Sequence, residues 1–415
     1  MKAEGFVRIG RNFSPLLLLQ IFNYLAPLLV LPFLTRVLPK QEFGSVMAAI
    51  STIIFAYILT DFGSGLSATY RIANNRENRD FINGLIAKIF SVKIFLVVFA
   101  SSIIVFIPEF LATYSDFSSV FYAVPFAVAA QAYQPIWFFQ GLEKLYLYSI
   151  YMAMSKLIYV ALVLSLVSQP GDGAFVIMLY GLASLSGTLI AIYFVRREGY
   201  KVSLCFEITG IIGEFRENID FFMSRVAVGI YTSLSTLLVG VSDVHQAAYY
   251  SISEQGYKAG QSVTTALNQA LYPYMSAEKD WNVFFRLLII VSIGLAISGV
   301  IVAHYSDELI IFIFGNEVSG ASRVLPIMMA VLVVNYLGTA FGYSAMAGLG
   351  KVSIANKSVF IGLFVFLCFI AFDLLTGAMD AVTMAYAVLS AELSVFIFRV
   401  SYFFYCFFIK DEERI

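Results

Sequence analysis

The sequence predicts an all-α polytopic membrane protein with about 12 transmembrane helices, and its composition and its charge-free runs support this fold class. Of its 415 residues, 60% are hydrophobic and only 13% are charged, whereas soluble domains contain about 25% charged residues. A helix that crosses the hydrocarbon core needs roughly 20 apolar residues. Four longer runs carry no charge at all, at residues 13–34, 117–142, 173–195 and 324–350.

Hydropathy predicts the helices in order along the whole chain. They span residues 13–34, 43–63, 84–106, 118–140, 147–167, 174–195, 218–241, 247–271, 284–303, 323–344, 355–372 and 381–405. The first run is too long for a signal peptide and lacks a small-residue cleavage site, so it is predicted to be retained. Within it, Pro27 removes the hydrogen bond to the carbonyl of Asn23. Asn23 and Pro27 are therefore predicted to form a hinge.

The distribution of basic residues predicts the topology. If the N-terminus is cytoplasmic, the outer loops carry only Arg36, Lys40 and Arg323, and the other loop and tail cations are inside. Short loops rich in Lys and Arg stay cytoplasmic, so both termini are expected inside. The charged loop 196–216 divides the chain into two six-helix halves, residues 1–205 and 206–415, expected to surround a central cavity.

Basic residues inside the predicted helices point to the substrate. A charge at the bilayer centre costs at least roughly 2.5–3.5 kcal/mol, so it should face the protein interior. Lys93, Lys156, Arg225 and Lys258 are the candidates for a cationic cavity that binds an anion, plausibly a phosphate. The structural alternative is that cations nearer the cytoplasmic ends extend to the interface. This alternative applies best to Lys88, Arg286 and Arg399.

Two acidic residues also lie deep in the predicted helices. Glu254 precedes Lys258 by four residues, a spacing that favours an ion pair on one helix face. This pair is either purely structural or part of the site. Glu392 has no partner at such a spacing, which makes it the first candidate for a proton-coupling group, with a cation on another helix as the structural alternative. With Lys88 included, five basic and two acidic residues lie in the predicted interior, which favours an anionic substrate over a cationic one.

The sequence shows no sign of enzyme chemistry. Its three cysteines lie far apart, and the only histidines are His245 and His304, so no metal site is expected. No nucleotide-binding or catalytic motif is present. We therefore expect no cofactor and no nucleic-acid partner. Energy would have to come from an ion gradient, the membrane potential or downstream use of the product.

Three stretches resemble the Wzx family of O-antigen flippases, which are polysaccharide exporters of the multidrug/oligosaccharidyl-lipid/polysaccharide superfamily. They are NYLAPLLVLPFLTRVL at residues 23–38 followed by Glu42-Phe-Gly44, QPIWFFQGLEK at residues 134–144, and FFMSR at residues 221–225. The resemblance covers the whole chain in length and helix layout, and its most specific part is WFFQGLEK.

The resemblance implies a function and a set of partners. It implies that the protein moves an undecaprenyl-pyrophosphate-linked oligosaccharide from the cytoplasmic to the periplasmic leaflet of the bacterial inner membrane. Alternating access coupled to H⁺ or Na⁺ is implied too, as are other O-antigen assembly proteins as partners. A pyrophosphate matches the predicted cationic interior, because arginine can contact it bidentately.

Three other functions fit the sequence less well. A multidrug antiporter of the same superfamily would be expected to have more carboxylates in its interior. A polysaccharide polymerase usually needs a large outer loop, whereas the longest one here spans only residues 304–322. A membrane scaffold has no use for so many deep charges.

Overall fold

The computed structural model describes residues 29–351, 353–377 and 379–412, and these residues form helices and turns with no β-strand among them. They group into two compact units. One unit comprises residues 33–247, and the other comprises the described residues from 248 onward together with 29–32. The predicted division into halves at 205/206 concerns an internal repeat, which these units do not test, and it stays a prediction.

The first unit contains the following helices, of which α1 begins and α12 ends within the second unit. They are α1 (29–37), α2 (Lys40–Asp61), α3 (Ser64–Ala73), α4 (Arg79–Val105), α5 (Ile107–Phe110), α6 (Ser118–Ala132), α7 (Ile136–Gly141), α8 (Leu145–Leu166), α9 (Gly173–Arg197), α10 (Ile208–Thr232), α11 (Ser235–Val239) and α12 (Val244–Glu278).

The second unit continues with six further helices. They are α13 (Trp281–His304), α14 (Ser306–Phe314), α15 (Leu325–Thr339), α16 (Met346–Leu349), α17 (Ser353–Thr376) and α18 (Ala381–Glu412). A π-helical segment, Ala340–Ala345, joins α15 to α16. The core of this unit is aromatic, with Trp281 and Phe284 of α13 packing against Phe341 and Phe403.

The chain is an all-α, multi-pass membrane protein, as predicted. Within the described residues, eight helices are long and apolar enough to span a bilayer: α2, α4 with α5, α8, α9, α13, α15 with α16, α17 and α18. Three more predicted spans correspond to α6, α10 and α12. The helix α6 has only 15 residues, whereas α10 and α12 carry many charged or polar side chains. The first predicted helix lies mostly outside the described residues, as do Asn23 and Pro27.

The predicted continuous helix over residues 118–140 is wrong, because α6 ends at Ala132 and α7 begins at Ile136. Pro135 lies in the gap. It has no N–H to donate to the carbonyl four residues earlier, and its ring collides with that carbonyl. The last carbonyls of α6 consequently need other donors.

The Glu42-Phe-Gly44 motif connects α2 to two other helices. The buried Glu42 carboxylate accepts hydrogen bonds from the backbone N–H groups of Gly171 at 2.9 Å and Gly173 at 2.6 Å. A carboxylate is stabilised at a helix N-terminus, here that of α9, by unpaired N–H groups and the helix dipole. Gly44 packs directly on the backbone carbonyl of Val244, and a Cβ there would lie under 3.0 Å from it.

The WFFQGLEK stretch forms a packed corner. Trp137, Phe138 and Phe139 are at most 1% exposed and belong to the core of the first unit. Gly141 allows α7 to approach α3, because a Cβ at this position would lie 2.7 Å from the Ile72 side chain. The specific part of the motif therefore fixes α3 against the core.

Contacts join segments that the topology prediction places on the same side of the membrane. At the predicted outer side, Gln41 hydrogen bonds to His245 and Thr113 to the carbonyl of Val241. At the predicted inner side, Lys144 pairs with Glu198. Which side is cytoplasmic stays a prediction, and the accessibility of a tag inserted after Arg197 would decide it.

Candidate functional site

The candidate site begins where α2 breaks into α3. Phe62 and Gly63 both adopt left-handed backbone conformations, with φ of 45° and 74°. The left-handed conformation is energetically unfavourable for Phe62, because its Cβ crowds the backbone, whereas glycine has no Cβ. Its ring stacks on Phe222 at 4.1 Å between centroids and meets Phe215 edge-on at 4.7 Å, both on α10. These contacts hold the break against α10.

Arg225 of α10 reaches this break and pairs with Asp61. Its Nη1 lies 2.5 Å from the Asp61 Oδ2. Asp61 also accepts hydrogen bonds from the Gly65 N–H at 3.2 Å and the Ser64 hydroxyl at 3.3 Å. The Asp61 side chain is only 3% exposed, whereas Arg225 is 39% exposed. Among the described residues the Arg225 guanidinium donates to Asp61 alone, so most of its N–H groups remain available to a ligand.

A second set of ion pairs lies beside the first. Arg71 of α3 binds both Glu214 oxygens with its two terminal nitrogens, at 3.0 and 2.5 Å, and also binds Glu217 at 2.8 Å. Glu214 is buried. A bidentate arginine–carboxylate pair fixes geometry more strongly than a single contact. It therefore stabilises the packing of α3 on α10.

Lys93 of α4 faces the same region. Its side chain is fully buried, and its Nζ donates to the carbonyl of Ala132 at 2.6 Å. This carbonyl is one of those left without an intrahelical donor where α6 ends before Pro135, and a lysine is a favourable partner there. Lys93 also lies within electrostatic range of Asp61 and Arg225.

A small polar cavity connects these groups. It has a volume of only about 10 Å³, enough for roughly one water molecule, and its polar lining consists of Thr60, Asp61, Ser64, Lys93, Glu214 and Asn218. The Asn218 side chain is 3% exposed, and its Oδ1 has no hydrogen-bond partner among the described residues. We call Asp61, Arg71, Lys93, Glu214, Glu217 and Arg225 the Asp61 cluster.

The Asp61 cluster corrects the predicted excess of cations. The sequence-based count omitted Asp61 and Glu214, because both lie at or beyond the ends of the predicted helices. Within the cluster, three basic side chains face three carboxylates. Arg225 is distinguished by its exposure and its unused N–H groups rather than by a local excess of charge.

The other predicted cations lie elsewhere. Lys156 is on α8 and does not line the cavity of the Asp61 cluster. Lys258 belongs to the second unit, where its Nζ lies 2.8 Å from Glu254. The predicted ion pair between these two α12 residues is confirmed. Its role in binding or coupling stays a prediction.

Glu392 of α18 has polar neighbours within the second unit, and its role in coupling stays a prediction. Its carboxylate is 6% exposed and lies near the side chains of Asn335 and Arg399. Asn335 in turn accepts from Gln261 at 3.1 Å, and the Gln261 amide contacts the Tyr257 hydroxyl at 2.6 Å. A polar chain therefore extends from α12 through α15 to Glu392 on α18.

Arg399 does not extend to the interface as the sequence suggested. It is 5% exposed and donates to the carbonyls of Gly338 and Ala355 and to the Ser358 hydroxyl, each within 2.9 Å. Its guanidinium occupies the space beside Gly342, in the π-helical segment. These contacts tie α18 to α15 and α17, which gives Arg399 a structural role.

The exposed loop next to the WFFQG corner carries a further ion pair. Arg76 contacts Glu143 at 2.6 Å, and the side chains are 40% and 72% exposed. The hydrogen bond from Arg76 lowers the pKa of the Glu143 carboxyl. Exposed pairs of this kind add little stability, so we assign this pair no part in the site.

No group of three His, Cys, Asp or Glu side chains within the described ranges is arranged to hold a metal ion.

The family model described as polysaccharide biosynthesis protein matches residues 9–279. The chain belongs to the polysaccharide biosynthesis protein family. The resemblance inferred from the sequence motifs is thereby confirmed.

Two curated relatives of this polysaccharide biosynthesis protein are described as putative O-antigen transporters. The protein from Shigella dysenteriae is 25% identical over 368 residues, which cover 86% of this chain and 91% of the relative. The protein from Escherichia coli K12 is 25% identical over 274 residues, which cover 65% of each chain.

Solved transporters share the fold of this family member. An inward-facing multidrug-resistance MATE-family transporter of the MOP superfamily has a TM-score of 0.68 at 9% identity, covering 94% of this chain and 95% of its own. The lipid II flippase MurJ in an inward closed conformation has a TM-score of 0.64 at 13% identity, covering 92% and 86%. At these identities the likeness shows the fold alone.

Proposed function

We propose that this protein is a flippase for undecaprenyl-pyrophosphate-linked O-antigen oligosaccharide units, which it moves from the cytoplasmic to the periplasmic leaflet of the bacterial inner membrane. Family membership and the O-antigen transporters among its relatives support this class of substrate. The observation that carries the proposal is the half-exposed Arg225 guanidinium, which donates to Asp61 alone among the described residues.

The chemistry of Arg225 suits a pyrophosphate. A guanidinium forms two parallel hydrogen bonds to phosphate oxygens, and such charge-assisted bonds are about twice as strong as neutral ones. Lys93 adds positive charge from the cavity wall, and Lys156 and Lys258 are retained as further candidates. The lipid tail would remain in the bilayer, with the oligosaccharide inside the protein.

Proteoliposomes containing the full chain test this function. We expect translocation of a fluorescent undecaprenyl-pyrophosphate-linked oligosaccharide, and at least several-fold slower translocation of the matched monophosphate-linked compound, which offers fewer anionic oxygens. Empty liposomes are the control. Equal rates for both compounds would show that the pyrophosphate is not recognised. Transport of a lipophilic drug cation without any oligosaccharide translocation would favour a multidrug antiporter instead.

We further propose that Glu392 couples transport to protons, and that the hydrogen-bonded side chains of Tyr257, Gln261 and Asn335 connect its change of charge to α12 and α15 without themselves carrying the proton. A buried carboxylate on such a chain can exchange a proton, whereas glutamine cannot. We therefore expect Glu392→Gln to abolish the pH dependence of translocation in vesicles while the variant still binds the substrate. The measurement is the translocation rate at a series of pH values.

Asp373 provides a matched control for the proton-coupling experiment. It is another acid of the second unit, 4% exposed and located near the end of α17. Asp373→Asn should keep the wild-type pH profile. An unchanged profile in Glu392→Gln would exclude Glu392 from coupling, and Na⁺ dependence could then be tested in the same vesicles.

A further inference from the structure

The Asp61 carboxylate occupies the position that an external anion would take on Arg225. Three groups converge on it: the Arg225 guanidinium, the Ser64 hydroxyl and the Gly65 N–H, the last two at the N-terminal end of α3. Guanidinium groups, hydroxyl groups and helix N-termini are also the elements of phosphate sites. The chain thus supplies its own anion to an arrangement suited to a phosphate group.

The contact between Asp61 and Arg225 is a single hydrogen bond rather than a bidentate pair. Only the Oδ2 of Asp61 contacts Arg225, through Nη1, while its Oδ1 faces the Ser64 hydroxyl. A pyrophosphate can contact the guanidinium with two oxygens at once, which is the stronger arrangement. Gly65 allows the backbone of α3 to approach both groups closely, because a Cβ there would lie 3.0 Å from the Asp61 Oδ2 and 3.2 Å from the Arg225 Nη1.

A displaced Asp61 carboxylate needs another cation, because an unpaired charge at a buried position is costly. Lys93 lines the same cavity. Among the described residues its ammonium group donates to Ala132 alone, which leaves two of its three N–H groups for a carboxylate. The unpartnered Oδ1 of Asn218 lies in this cavity too and offers an acceptor that can rearrange with the exchange.

We propose that Asp61 is an internal counter-anion, which the pyrophosphate of the substrate displaces from Arg225 and which then pairs with Lys93. This inference rests on the proposed function and identifies how the site releases its substrate. A transporter must bind its substrate weakly enough to let it go. On release, Asp61 returns to Arg225 and completes the exchange.

Binding of inorganic pyrophosphate to the purified full chain tests the exchange by titration calorimetry. Asp61→Asn keeps the shape of the side chain but removes the competing charge, so we expect about ten-fold tighter binding together with slower translocation. Glu109→Gln removes one negative charge at an exposed position of α5 and should leave binding unchanged. In the Arg225→Ala background, Asp61→Asn should bring no gain.

A second variant, Lys93→Gln, tests the same exchange if Asp61→Asn does not fold. Lys93→Gln retains a donor for the Ala132 carbonyl but offers no charge to the displaced carboxylate, so we expect about ten-fold weaker pyrophosphate binding. If wild-type binding depends on Arg225 but neither variant shifts the affinity in the stated direction, the counter-anion inference is wrong and the proposed function stands. Wild-type binding that is absent or insensitive to Arg225→Ala would overturn both.

Discussion

Replacing Arg225 with alanine should abolish O-antigen display while the amount of protein in the membrane stays normal. Each hydrogen bond to a charged group contributes about 1.5–3 kcal/mol, so losing the guanidinium should slow translocation roughly 10- to 100-fold or more. Arg225→Lys should restore only part of the rate, because lysine lacks the planar fork. Surface O-antigen and accumulated lipid-linked oligosaccharide in a strain lacking its own flippase are the measurements.

The double variant Asp61→Asn/Arg225→Ala separates binding from folding. The single alanine variant leaves the buried Asp61 carboxylate without its cation, which could itself perturb the structure. If Arg225 contacts the substrate, the double variant stays inactive even though residue 61 no longer carries a charge that needs a cation. Activity restored by the double variant, or full activity of Arg225→Ala alone, would remove Arg225 from the binding site.

Gly44→Ala should be among the most damaging small substitutions in the chain. The added methyl group would collide with the backbone carbonyl of Val244, which cannot move without shifting the start of α12. Overpacking of this kind costs about 1–3 kcal/mol, and more where backbone is displaced. We expect a clear fall in thermal stability in detergent and in the yield of folded protein.

Gly84→Ala is the matched control for this substitution. Gly84 also lies inside a long helix, α4, and a Cβ there meets nothing within 4 Å. Alanine at such a position stabilises a protein by about 0.4–1 kcal/mol because it restricts the unfolded chain. Equal thermal stability of the two variants would show that the contact between α2 and α12 is not tight in the membrane.

Sequence reasoning succeeded where the decisive interactions are local. Apolar run length predicted the helices, and the spacing of Glu254 and Lys258 predicted their ion pair. The break at Pro135 was also available from local chemistry, but hydropathy alone extended the helix through it. The role of Gly141 needed the fold, since nothing in the sequence shows that Ile72 packs against it.

The candidate site was harder to predict because its partners are distant in sequence. The position of Arg225 in a predicted helix indicates a deep cation, but its partner Asp61 lies 164 positions away. Asp61 is at the edge of a predicted helix, where a charge costs little free energy and therefore gives no sign of a functional role. In the sequence, Glu392 has no partner at helical spacing, and its neighbour Asn335 is neutral and lies on another helix, so no charge pattern reveals it. Pairwise geometry between distant helices cannot be read from hydropathy, which averages along the chain.

The balance of charges in the Asp61 cluster determines how the membrane's electric field acts on the transporter. Moving one elementary charge across the membrane changes its free energy by about 2.3 kcal/mol for each 100 mV of transmembrane potential. A group of charges that moves together feels this effect only through its net charge. The empty cluster is electroneutral in its formal charges, so the field neither drives nor opposes its movement. If a pyrophosphate binds there as proposed, it adds negative charge, and in a cell with a negative interior that charge is driven outward. The voltage would then assist the loaded step and leave the empty return unaffected.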